Sequence, residues 1–259
     1  MAMKKVLLSI AGYDPTSGAG VLLDIRRFMQ LGFHGVGIVT ALTAQNTESV
    51  GDVFVPPSRF LAEQYRQLKK DMKISGIKVG ILGSSHNIAE IIQILSENAE
   101  NPLVIDPVIR SSSGYWFLEK TDISAYTESI GARASLVTPN IYEAEILSGI
   151  AIRNITDMRK AAEKISRKVA APCLIKGGHL KEAPTDVLYD GHKHTLFAND
   201  KIERAVHGTG CFLSSSILGY LVMGQTLQKA CKLAIRDTAE AIKTAAPIGQ
   251  GQHIIQFSQ

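Results

Sequence analysis

Short apolar runs alternate with helix-period stretches along nearly the whole chain, and no other feature narrows the possible folds as much. Val6–Ile10, His34–Leu42, Gly76–Leu82, Leu103–Ile105, Ser135–Thr138 and Cys173–Ile175 read as strands. Most are near-continuous apolar runs, the pattern of strands buried on both faces. Helices are read between them. Val21, Asp24, Ile25 and Phe28 fall at i, i+3, i+4 and i+7 ahead of Gly32, and further helices are expected from Pro57 to about Lys73, Asn87 to Ala99 and Met158 to Val169. A stripe of Leu227, Ala230, Cys231, Ala234 and Ile235 marks another near the end. Strand–helix repetition of this kind predicts a doubly wound α/β fold around a mainly parallel sheet. Asp190-Gly191, between Val187–Tyr189 and His194–Phe197, adds an antiparallel edge hairpin. No Pro/Gly/Ser-rich linker interrupts the pattern, so residues 1–259 are expected to form one domain.

Charge and cysteine usage exclude several classes. The net charge is only +4, and Lys and Arg occur singly rather than in blocks, which argues against nucleic acid or an anionic membrane surface as partner. No apolar run approaches the ~20 residues a membrane helix needs. Lys4-Lys5 leads into an apolar run too short for a secretory signal. The three cysteines are scattered and make no disulfide framework. A cytoplasmic protein is expected.

The chemistry concentrates in His207-Gly208-Thr209-Gly210-Cys211, which runs straight into the apolar stretch Phe212–Leu218. Two glycines one residue apart allow a tight turn, and the following helix opens its positive end on it, a combination suited to a phosphate. Cys211 in the first turn is expected to be a thiolate. The plainer reading is a Gly-rich loop with a buried cysteine. Asp106, Asn140, Glu143 and Lys176 are expected at the same edge of the sheet, where open α/β folds bind ligands. Asn140 and Glu143, three apart on a helix, share a face, although each also suits a cap or a solvated surface. Asp24 lies on the inward stripe of its helix and needs a donor, whether a ligand or a salt bridge to the sheet. The spacing from Gly12 to Gly18 does not fit a Walker loop, Leu23 breaks a dinucleotide fingerprint, and neither HExxH nor CxxC occurs. A Cys211/His207 nucleophile pair lacks a visible third group.

Gly12-Tyr13-Asp14-Pro15-Thr16-Ser17-Gly18-Ala19-Gly20, Ala44-Gln45-Asn46-Thr47, Thr138-Pro139-Asn140 with Glu143-Ala144, Lys176-Gly177-Gly178-His179 and the Cys211 loop occur in this order. Together they resemble the motif set of hydroxymethylpyrimidine/phosphomethylpyrimidine kinases in the ribokinase-like superfamily. The resemblance runs from about Leu7 to Pro247 and fades in the tail. It implies a three-layer α/β/α ribokinase-like fold and ATP-dependent phosphorylation of 4-amino-5-hydroxymethyl-2-methylpyrimidine, then of its monophosphate, in thiamine biosynthesis.

By the same resemblance, Gly12, Asp24, Thr43, Gln45 and Ile81 would meet the pyrimidine. Asn140, Glu143, Lys176 and Thr209 would serve ATP, and Asp106 with Glu143 would hold Mg2+. Gly208, Thr209 and Gly210 would form the anion hole beside Cys211, with Lys176 as a further catalytic group. A Cys211 thiolate would act as general base, so Cys211→Ala is expected to cost the first phosphorylation more than the second. Most sugar kinases of the superfamily carry an aspartate there. Thr43, Ile81 and Arg110 depart from the usual pattern, and Arg110 either recruits a phosphate or faces solvent. The alternatives are a pyridoxal/pyridoxine kinase of the same fold, a non-catalytic pyrimidine-binding protein, or a cysteine-nucleophile hydrolase. A homodimer is expected, and Ser111–Trp116 is the expected lid.

Overall fold

A computed structural model of the chain describes residues 4–111, 114–119, 122–123, 129, 131–178 and 184–257. Ser112 and Ser113 of the expected lid, and His179 of the lysine motif, lie outside the described residues.

Among the described residues nine strands form one sheet. They are β1 (Val6–Tyr13), β2 (His34–Gln45), β3 (Val50–Phe54), β4 (Ile74–Val79), β5 (Leu103–Ile105), β6 (Leu136–Val137), β7 (Cys173–Ile175), β8 (Thr185–Tyr189) and β9 (His194–Ala198). Their order is β3-β2-β1-β4-β5-β6-β7-β8-β9. The centre from β2 to β7 is parallel, and β3, β8 and β9 add antiparallel edges. The α-helices that lie wholly within the described residues are α1 (Gly20–Gln30), α2 (Ser58–Lys69), α3 (Ile88–Glu97), α4 (Ile141–Ser148), α5 (Ile155–Val169), α6 (Thr209–Val222) and α7 (Leu227–Thr244).

The period-2 alternation of each strand feeds two cores, and this makes the three layers. Leu8, Ile10, Val36 and Ile38 face one side, against Leu61 and Tyr65 of α2, Ile91 of α3, Ala144 of α4 and Met158 of α5. Leu7, Val104, Leu136 and Leu174 face the other, against Phe28 of α1, Leu213 and Ile217 of α6 and Ala230 of α7. Helix α6 is buried along most of its length, from Phe212 to Gly219, which explains why its sequence is apolar all round rather than amphipathic. The architecture is the expected three-layer α/β fold with a mainly parallel sheet and an edge hairpin.

Two elements depart from the expectation. The strand expected over His34–Leu42 instead continues to Gln45 and turns back antiparallel into β3. Asn46 makes the turn, its side chain accepting from the Glu48 and Ser49 amides at 2.9 Å. The tail beyond Pro247, where the resemblance fades, returns to the centre. There β11 (His253–Ile254) pairs in parallel with β10 (Val206–His207), and Ile255 is buried against Leu23 and Phe212.

Candidate active site

The carboxyl ends of β1, β5, β6 and β7 and the amino end of α6 converge on one cavity of about 570 Å³. This is the crevice that topology predicts for ligands in an open α/β sheet. Gly12, Thr43, Gln45, Ile81, Asp106, Asn140, Glu143, Lys176 and Gly208 to Cys211 all line it. Asp24 is the one expected site residue that does not.

The Gly208–Cys211 loop is fixed by backbone geometry. Gly208 has φ 76° and is the N-cap of α6. A Cβ there would stand 1.8 Å from the Gly18 carbonyl oxygen, so only glycine lets the two loops meet. The first-turn amides of α6 have no acceptor within the helix and open towards the cavity. Opposite them, Lys176 Nζ lies 2.7 Å from Asp106 Oδ1. Burial opposes both charges, yet their attraction holds the Asp106 carboxyl below its ordinary range and the Lys176 ammonium above its own. Gly210 ties this pair to the loop, because a Cβ there would meet Lys176 Nζ at 3.1 Å and Asp106 Oδ2 at 3.5 Å.

Asn140 and Glu143 form a capping box at the start of α4. Asn140 Oδ1 accepts from the Glu143 amide at 2.9 Å and Glu143 Oε2 from the Asn140 amide at 2.8 Å. The capping alternative left open by the sequence is therefore realised, with both side chains still on the cavity wall. Burial, helped by the Asp106 charge and opposed by Lys176, pushes the Glu143 carboxyl up to about 7. Asp106 and Glu143 are thus enclosed carboxylates that repel each other. Mg2+ is usually held by one or two carboxylates completed by water and substrate phosphates, and this donor pair fits it.

Two expectations need correction. Asp24 was expected to contact the pyrimidine, but it is fully buried behind the cavity with both oxygens engaged. Oδ2 accepts from Ser9 Oγ at 2.6 Å and Lys78 Nζ at 2.8 Å, and Oδ1 from Ser215 Oγ at 2.7 Å. The salt bridge to the sheet is the role it fills. Cys211 was expected to be a thiolate. Burial instead pushes its thiol up to about 11, although Lys78 and the Gly20 amide pull the other way. Desolvation outweighs the helix field here. At pH 7 the thiol is then predominantly un-ionised. Alkylation of Cys211 should accordingly be negligible at pH 7 and accelerate about tenfold per pH unit up to pH 10. A rate that levels off near pH 7 would show a thiolate.

The sequence did not reveal the partner of His207 or the places of Lys78 and Asp186. His207 Nε2 lies 2.8 Å from Asp14 Oδ2. Burial favours the protonated Asp14 carboxyl, but bonds from His207, Gln45 and Thr16 hold it lower. His207 therefore has an orienting carboxylate after all, and turns to it rather than acting as a base for Cys211. Lys78 is a fully buried cation at the cavity wall. Asp186 accepts from the Gly177 amide at 2.7 Å, and burial pushes its carboxyl up to about 6. A lysine or aspartate inside an apolar strand run was the available signal.

Comparison with known proteins gives a consistent picture. A family model for phosphomethylpyrimidine kinase matches residues 14–256. The hydroxymethylpyrimidine/phosphomethylpyrimidine kinase of Aquifex aeolicus is 40% identical over 97% of this chain and 100% of that protein. The enzyme of the same description from Haemophilus influenzae is 34% identical over 97% of this chain and 96% of its own. Among solved structures, a phosphomethylpyrimidine kinase from Clostridium difficile superposes with TM-score 0.81 at 33% identity, covering 92% of this chain and 100% of that one. The pyridoxal kinase from Staphylococcus aureus in complex with ADP superposes with TM-score 0.89 at 29% identity, covering 98% and 94%.

Proposed function

The chain belongs to the phosphomethylpyrimidine kinase family, and on that premise we propose how its cavity works as a phosphotransferase. It uses ATP to phosphorylate 4-amino-5-hydroxymethyl-2-methylpyrimidine and then the monophosphate, in thiamine biosynthesis. The observation that carries this reading is the meeting of the α6 amino end with the Lys176–Asp106 pair at Gly210. Phosphoryl transfer needs such a constellation, because its loose transition state spreads charge over the moving group and leaves the protein to position and stabilise it.

Gly12, Thr43, Gln45 and Ile81 form the pyrimidine end. Gln45 offers both a donor and an acceptor to an aminopyrimidine edge, whereas the Thr43 hydroxyl is committed to the Tyr13 carbonyl at 3.0 Å. The amides of Thr209, Gly210 and Cys211, with Lys176, hold the phosphoryl oxygens in flight. Asn140 and Glu143 border the nucleotide phosphates, and Asp106 with Glu143 would hold Mg2+. When bound there, the ion neutralises charge on those phosphates.

Cys211 stands beside the nucleophile as an uncharged thiol. That suits two successive nucleophiles of different charge. A neutral hydroxyl meets no obstacle, its proton passing to an oxygen of the transferred phosphoryl group as the bond to ADP breaks and the new O–P bond forms, and an ionised phosphate monoester meets none of the repulsion a carboxylate would impose. The base role expected of a thiolate is replaced by this neutrality.

We read residues 1–259 as one kinase domain, supported by the continuous nine-stranded sheet. The same reading makes the enzyme cytoplasmic and homodimeric. Three free cysteines support the first part, and the exposed edge strand β3, with Phe54 64% exposed, offers a pairing surface for the second. Among the described residues no helix is long and apolar enough to cross a membrane.

A side-by-side ATP-consumption assay with hydroxymethylpyrimidine, its monophosphate and pyridoxal tests the substrate assignment. Turnover of both pyrimidines at higher kcat/KM than pyridoxal is expected. Preference for pyridoxal would move the assignment to a vitamin B6 kinase.

A further inference from the structure

Arg110 is exposed at the cavity wall and unused in the reading above. Its guanidinium is nevertheless held in place from several sides. Nε donates to the Gly114 carbonyl at 3.0 Å, and Nη1 reaches the Tyr142 hydroxyl at 3.4 Å. The cation lies 5.8 Å from the Trp116 ring centre and 5.4 Å from that of Tyr142. The two rings meet edge-on at 6.3 Å. Gly114 has φ 101°, and a Cβ there would come within 2.8 Å of Nη2, so glycine keeps that edge of the fork clear. Tyr142 sits between Asn140 and Glu143 on the sequence, which places this cluster beside the expected phosphate groups.

None of these holding partners is an anion. A carbonyl, a phenol and two ring faces orient an arginine without neutralising it. The guanidinium has five N–H donors, and the two hydrogen bonds above use only Nε and Nη1. A charged planar fork presented in this way matches the oxygens of a phosphate.

We propose that Arg110 is a phosphate-binding residue at the cavity mouth, presented by Gly114, Trp116 and Tyr142. Its ligand is a phosphate oxygen of a bound substrate, either the nucleotide's or the pyrimidine monophosphate's. The proposal rests on the phosphoryl-transfer reading and adds a residue and a ligand class to it.

Trp116 is the chain's single tryptophan, so its emission reports on this cluster alone. Native enzyme, Arg110→Met and Arg110→Lys would be titrated with ADP, with hydroxymethylpyrimidine monophosphate and with the unphosphorylated pyrimidine. Calorimetry reads the same affinities independently of the ring. Arg110→Met should weaken at least one phosphorylated ligand roughly tenfold, the scale of one hydrogen bond to a charged group. Arg110→Lys should recover part of that loss, which a mere brace for the ring pair would not. Loss for ADP alone assigns the nucleotide phosphate, and loss for the monophosphate alone assigns the substrate's.

Unchanged affinity of Arg110→Met for both phosphorylated ligands would overturn the proposal. So would an equal loss for the unphosphorylated pyrimidine. The ADP arm needs no pyrimidine, so an enzyme that ignores both pyrimidines would sink the functional reading while still judging Arg110.

Discussion

Lys176→Met should lower kcat by roughly 10²–10³-fold, the usual cost of removing one donor from a preorganised anion site, with KM for the pyrimidine little changed. The side chain stands between the two parts of the machinery. Its Nζ is 2.7 Å from Asp106 and 3.1 Å from where a Gly210 Cβ would be. It therefore faces the phosphoryl position proposed above rather than the pyrimidine end proposed for Gly12, Gln45 and Ile81. Steady-state kinetics on purified, folded variant check this. A kcat within threefold of the native enzyme would remove Lys176 from the chemistry.

The second large effect is on stability. Lys78 and Asp24 are both fully buried, 2.8 Å apart, between the cavity and the core. Breaking such a pair by removing one partner leaves an uncompensated charge and costs about 3–5 kcal/mol. Lys78→Met should show that loss in denaturant unfolding with an unchanged slope. Adding Asp24→Asn, which removes the stranded charge but keeps oxygen and nitrogen near Ser9 and Ser215, should recover much of it. A single variant within about 1 kcal/mol of native would mean that water or a rearrangement already screens the pair.

Much of this arrangement was readable from local pattern. Strands buried on both faces announce themselves as apolar runs, and the Gly208–Cys211 glycines followed by an apolar stretch announce the turn that opens α6 on the cavity. The Asn140–Glu143 spacing serves a cap and a cavity wall at once, which is why the sequence alone left both open.

What escaped depends on contacts distant in sequence or on enclosure. Asp14 and His207 are separated by 193 positions. The role of Asp24 is decided by Lys78, 54 positions on. Strand β3 was hidden because Gly51 and Asp52 interrupt its apolar pattern, and its pairing follows from the Asn46 turn. The tail gave no motif, yet its pairing with Val206–His207 fixes it beside the Gly208–Cys211 loop. The protonation of Cys211 shows the limit most sharply. Its position at a helix tip favours a thiolate, whereas desolvation and the Asp24 and Asp106 charges around it, which push the thiol up, come from parts of the chain distant in sequence.

The central claim is that one cavity, with a neutral thiol beside the nucleophile, performs both phosphorylations. A mass-resolved time course starting from hydroxymethylpyrimidine with excess Mg-ATP tests it directly. The account predicts that the monophosphate appears first and then declines as the diphosphate accumulates, with added monophosphate competing against the first step. A reaction that stops at the monophosphate, or forms no phosphorylated pyrimidine at all, would contradict it.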